Sequence, residues 1–144
     1  MSTRKLIVLA LLCGLAILVA GGIQLFRIAG TDDRTVEVLA EGEAATVGSV
    51  TITVEGSEQD GAVIRARVRM SAPDETTVPL SSFTLLAGGR LHPALDTDSA
   101  DSCPSPVAVG SAPTSCAVAF EGDEGTATLA FSRDDDQAQW RLQP

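Results

Sequence analysis

The spacing of apolar and polar positions changes character once along this chain. From Leu6 to Phe26 run 21 residues, LIVLALLCGLAILVAGGIQLF, with no charge and no polar face. A helix needs about 20 apolar residues to cross a bilayer, so the run predicts a membrane-spanning helix over 6–28. Thr31 to Arg34 (TDDR) is polar and reads as part of a linker over 29–35. From residue 36 onward the apolar period is near two. Val50, Ile52 and Val54 alternate with threonines, and Ile64, Ala66, Val68 and Met70 alternate with Arg65, Arg67 and Arg69. Cys116, Val118 and Phe120 share one face, as do Ala127, Leu129 and Phe131, and then Ala138, Trp140 and Leu142. Such alternation marks strands with one buried and one wet face.

Turn chemistry separates these runs. Asp60-Gly61 and Gly88-Gly89 are hairpin signals, and Glu121 to Gly125 (EGDEG) divides two later strands. Asp134-Asp135-Asp136 reads as the turn between the last two strands. Two stretches look irregular: Ser71–Pro79, with two prolines, and Ala94–Ser115, with three. Short strands at this spacing predict an all-β, antiparallel sandwich or barrel over 36–144. Phe83, Phe120, Phe131 and Trp140 are its expected core.

Charge then gives the chain an orientation. Arg4, Lys5 and Arg27 precede residue 31, and all 19 acidic residues follow it. Residues 31–144 thus carry seven basic against 19 acidic side chains, a charge of −12. The positive-inside rule puts residues 1–5 in the cytoplasm as a short head and the acidic body outside. The apolar run is longer than a usual signal-peptide core, which favours a retained signal anchor. A cut near Val19-Ala20-Gly21 is the competing reading. A body this acidic is expected to bind neither nucleic acid nor an anionic lipid surface.

Candidate chemistry is sparse. Cys103 and Cys116 lie on the expected oxidising side and are expected to form a disulfide; the alternative is free thiols or a metal site, for which two Cys and one His fall short of zinc's four ligands. Cys13 sits within the span, after Leu12 and not after a small residue, and reads as an ordinary apolar side chain. Asp96, Asp98 and Asp101 lack the glycine and glutamate of a calcium loop and read as a solvated acidic loop. One histidine, His92, and no Gly-x-Ser-x-Gly elbow leave no catalytic constellation. No enzymatic activity, metal, cofactor or small-molecule ligand is therefore expected. Arg65, Arg67 and Arg69 form a basic stripe on one strand face. It is expected to meet acids near Glu55 or Glu58 across the hairpin, or to contact a partner.

Taken in order, the body resembles a telokin-like, immunoglobulin-like family found on bacterial membrane-anchored envelope proteins. Four segments carry the likeness. Val47–Val54 (VGSVTITV) resembles an early glycine-containing strand, and Ala62–Met70 resembles a central strand. Ser82–Leu85 with Gly88-Gly89-Arg90 resembles a Phe-x-Leu strand and its glycine turn. Val109-Gly110 followed by Cys116–Phe120 resembles a late turn and a Phe-ending strand. The resemblance implies an immunoglobulin-like sandwich and no catalytic residues. The resulting expectation is a single-pass protein of the cytoplasmic membrane. It would bind or help assemble another envelope protein, with a structural spacer or sensor ectodomain as the alternative.

Overall fold

The structure, a computed structural model, describes residues 2–31 and 36–144. The chain forms two compact units, Met1–Thr35 and Val36–Pro144. The first is one helix, α1 (Thr3–Thr31). Its stretch Thr3–Leu25 has the length and composition to cross a membrane. Leu, Ile and Val side chains from Leu6 to Leu25 are 52–74% exposed, as befits a helix that is apolar all round. No proline or other breaker stops the helix at residue 28, so residues 29–31 are helical where a linker was expected. The rest of that expected linker, 32–35, lies outside the described residues.

The second unit is built from strands: β1 (Val38–Ala40), β2 (Ala44–Val47), β3 (Val50–Asp60), β4 (Val63–Ser71), β5 (Thr76–Val78), β6 (Phe83–Ala87), β7 (Arg90–Leu95), β8 (Val107–Val109), β9 (Thr114–Glu121), β10 (Ala127–Arg133) and β11 (Asp136–Leu142). One sheet runs β1-β11-β10-β6-β7, and a second runs β7-β9-β4-β3-β2. All pairs are antiparallel except β1 with β11, which is parallel. Two of the chain's passages between the sheets are short. Between Ala40 and Ala44 it leaves β11 and joins β3. Within β7 it leaves β6 after Pro93 and pairs with β9 from Ala94 onward. Proline has no N–H to give a ladder, and Pro93 stands at the residue where the strand changes partners.

Two inward faces make one core. Trp140, Phe83, Phe120 and Phe131 are each at most 1% exposed, as the alternation predicted. The rings of Phe83 and Phe131, opposite each other on β6 and β10, have centroids 4.9 Å apart. Burying such a side chain stabilises the fold by about 1.5–3 kcal/mol.

The turns follow their glycines. Gly88 and Gly89 have φ of +58° and +74°, so both central residues of the β6–β7 turn are left-handed. That is a type I′ hairpin, whose twist matches its strands. The β3–β4 turn is Gly61-Ala62, with Asp60 still paired to Val63. The stretch Val47–Val54, read as one strand, is instead a hairpin. Gly48-Ser49 turns at Gly48 φ +60°, and Val47 pairs with Val50. The two irregular stretches also hold order. Val107 and Val109 point inward and Ala108 outward, and β8 pairs antiparallel with β5 as a separate two-stranded sheet. His92 lies within β7 opposite Leu85.

Candidate functional site

The three arginines of β4 lie on the outward face of the second sheet. Arg67 and Arg69 sit between small or short neighbours, and Arg65 has one such neighbour and one glutamate. Arg67 faces Gly56 on β3 and Ala117 on β9; Arg69 faces Thr53 and Ser115; Arg65 faces Glu58 and Ala119. Glycine, alanine and serine flanking a long side chain leave an empty trough along the strand. A β-bulge adds to it. The β3–β4 register shifts between Val54 and Gly56, so Glu55 is the extra residue. A bulge re-aims its side chain, and Glu55 Oε1 meets Arg69 Nη2 at 2.7 Å.

One wall of the trough is the segment 99–104. It is fixed to β9 by main-chain bonds: Cys103 N–H donates to Ala117 O at 2.9 Å, and Ala117 N–H donates to Asp101 O at 2.7 Å. Cys103 and Cys116 are joined, with Cα atoms 4.9 Å apart. Cys103 is 3% exposed, so the bond ties the acidic loop into the core. Thr97 and Ser102 share a hydroxyl hydrogen bond of 2.7 Å that tightens the same loop.

The result is a polar groove of two adjoining depressions, about 570 and 590 Å³, that share Glu55, Arg67, Ala100 and Asp101. Its charged residues are Arg65, Arg67, Arg69, Glu55, Glu58 and Asp101. The groove is therefore balanced in charge on a domain that is strongly acidic. Arg69 is committed: besides Glu55, its Nε donates to Ser115 Oγ at 3.4 Å. Arg65 and Arg67 make no hydrogen bond or ion pair among the described residues. Two unengaged guanidinium forks side by side can each take a carboxylate or phosphate in two-pronged fashion.

The expected cross-hairpin pairing is thus realised through Glu55 with Arg69, while Glu58 sits in register with Arg65 without an ion pair. Asp101 was read only as part of a solvated loop, yet it lines the groove. The signal for it was the pairing of Cys103 with Cys116, which brings this segment beside β9. Asp96, Asp98 and Asp101 are exposed, and no three potential metal ligands converge among the described residues. Cys13 is a free thiol on the helix.

No family model matches this chain, and no curated protein matches it. Solved structures do. The yjhA protein of Bacillus subtilis superposes with a TM-score of 0.62 at 11% identity, over 74% of this chain and all of that one. The secreted protein MPT63 of Mycobacterium tuberculosis gives 0.56 at 15%, over 76% of this chain and all of that one. The lipoprotein candidate ycdA of Bacillus subtilis gives 0.54 at 14%, over 71% of this chain and 38% of its own. The likeness is one of fold. The body is a β-sandwich of immunoglobulin-like type, behind one apolar helix.

Proposed function

We propose that this chain is a single-pass protein of the bacterial cytoplasmic membrane, with its N-terminus inside and its body outside. There it acts as a binding or assembly module for another envelope protein, without chemistry of its own. The retained helix is the anchor, and the telokin-like sandwich is the reader. The charge asymmetry around the span supports the orientation. The Cys103–Cys116 bond supports an oxidising compartment. The superposable proteins described as secreted and as a lipoprotein candidate lend support to an extracytoplasmic place.

The observation that carries the reading is the groove itself. Arg65 and Arg67 stand unpaired in a trough walled by a disulfide-held loop, on a domain whose charge repels anions elsewhere. A partner that offers carboxylates to these two arginines gains charge-assisted hydrogen bonds there and is rejected from the rest of the surface. Crosslinking in intact membranes followed by capture of the full chain tests this. A reproducible envelope protein at stoichiometric yield is the expected outcome; repeated recovery of the chain alone would refute it.

A further inference from the structure

The groove ends at an open sheet edge. β3 is 11 residues long, and β2 pairs only with Val50, Thr51, Ile52 and Thr53 of it. Gly42 N–H then donates to Val54 O at 2.7 Å. Beyond Val54 no main-chain group meets that side of β3 among the described residues. Alternation says which groups stand free there. Asp60 and Val63 flank the two-residue β3–β4 turn and form a hydrogen-bonded pair. Counting back by twos, Glu58 and Gly56 also bond toward β4. Ser57 and Gln59 therefore aim both N–H and C=O at the open side. Their side chains are engaged elsewhere: Ser57 Oγ donates to Glu41 Oε1, and Gln59 Nε2 donates to Gly61 O at 3.1 Å.

We infer that the partner segment taken at the groove is an extended strand, added antiparallel to β3 along residues 56–60. In this mode of capture the main chain gives affinity and alternate side chains give specificity. The inference rests on the binding reading above and adds the form and charge pattern of what is bound. Gly56, Ser57 and Glu58 line the same depression as Arg65 and Arg67, so the free edge is the groove's own rim.

The rows across the sheet specify the occupant. Arg67 faces Gly56, so no side chain stands between Arg67 and the residue that an added strand sets beyond Gly56. That residue lies two strand spacings from β4, about 10 Å, which an arginine and a glutamate reaching toward each other cover. A carboxylate belongs there. In the next row Arg65 faces Glu58, so the position beyond Glu58 takes a lysine or arginine. Opposite charges across strands stabilise a pairing and like charges oppose it. The partner strand thus carries a base and an acid two residues apart on one face. A second β3 laid antiparallel and centred on this stretch would set Glu58 against itself, so the edge charges turn away its own kind.

The probe is a fluorescein-labelled peptide, Thr-Thr-Val-Lys-Val-Glu-Thr, capped at both ends, read by anisotropy against the full chain in lipid nanodiscs. In the inferred register its valines lie opposite Gln59 and Ser57, its lysine opposite Glu58 and its glutamate opposite Gly56. N-methylation of both valines removes the two N–H groups that face β3 and should weaken binding about tenfold, the net worth of two hydrogen bonds. N-methylation of the lysine and glutamate instead alters N–H groups that face away, and should leave affinity close to that of the parent peptide. Arg67→Glu, with the Cys103–Cys116 bond intact, should weaken the parent peptide about tenfold through the lost charge-assisted bond. No binding of the parent peptide, equal losses from the two methylation patterns, or affinity undiminished by methylated valines or by Arg67→Glu would each overturn the inference. Capture from membranes judges the underlying reading by itself: a partner recovered there, beside any of these peptide results, overturns the strand addition alone.

Discussion

The indole Nε1–H of Trp140 donates to the main-chain carbonyl oxygen of Glu43 at 2.9 Å. Trp140 belongs to β11 in the first sheet, and Glu43 leads into β2 in the second. The largest side chain of the core thus carries its one polar atom to the place where the chain changes sheets. A buried indole N–H needs such a partner. The bond fixes the turn at Glu41-Gly42, where Gly42 N–H also donates to Val54 O at 2.7 Å.

Trp140→Phe keeps most of the ring volume and removes the donor. It should lower stability by about 0.5–1.5 kcal/mol, the net worth of the lost hydrogen bond. Trp140→Ala should cost about 3–5 kcal/mol. Urea unfolding of both variants distinguishes a packing role from a bonding one.

Phe120 is fully buried and Arg67 points outward from the adjacent strand. Phe120→Ala should cost about 3–5 kcal/mol, and Arg67→Ala should stay within about 0.5 kcal/mol. Thermal melts that show equal shifts for the two would reverse the assignment of faces.

Cys103 and Cys116 are 13 residues apart. Closing a loop of that size removes unfolded-state entropy worth about 3 kcal/mol on the chain-entropy model. Cys103→Ser with Cys116→Ser should destabilise the body by that order and loosen segment 99–104. Alkylation of the unreduced, denatured chain should label Cys13 alone.

Gly88 and Gly89 occupy left-handed backbone. Gly88→Ala and Gly89→Ala should each cost about 1–2 kcal/mol. At Gly56 an added Cβ meets nothing within 4 Å and φ is not positive, so Gly56→Ala should be nearly neutral in chemical denaturation.

The strands of the core were legible because their side chains alternate strictly. β4 reads buried and exposed in turn from Ile64 to Met70, as its sequence does. Period alone fixes a face, not a partner. Nothing in the alternation of β7 announces that Pro93 ends one pairing and Ala94 begins another. The Gly48-Ser49 turn was hidden because threonines and valines continue on both sides of it, so a hairpin and a single long strand share one pattern. β5 and β8 are three residues each, too short for a period to register. The arginine stripe was visible in the sequence. The groove was not, because it needs the Glu55 bulge on one side and the loop brought across by Cys103 on the other.

The central claim is that Arg65 and Arg67 hold a carboxylate-bearing envelope partner. Arg65→Glu with Arg67→Glu reverses both charges on an exposed face and leaves the core untouched. Membrane crosslinking and capture should then be run on this variant beside the original chain, at equal expression and with the Cys103–Cys116 bond intact in both. The account predicts that partner recovery falls at least tenfold in the variant. Recovery of the same partner at undiminished yield would contradict it.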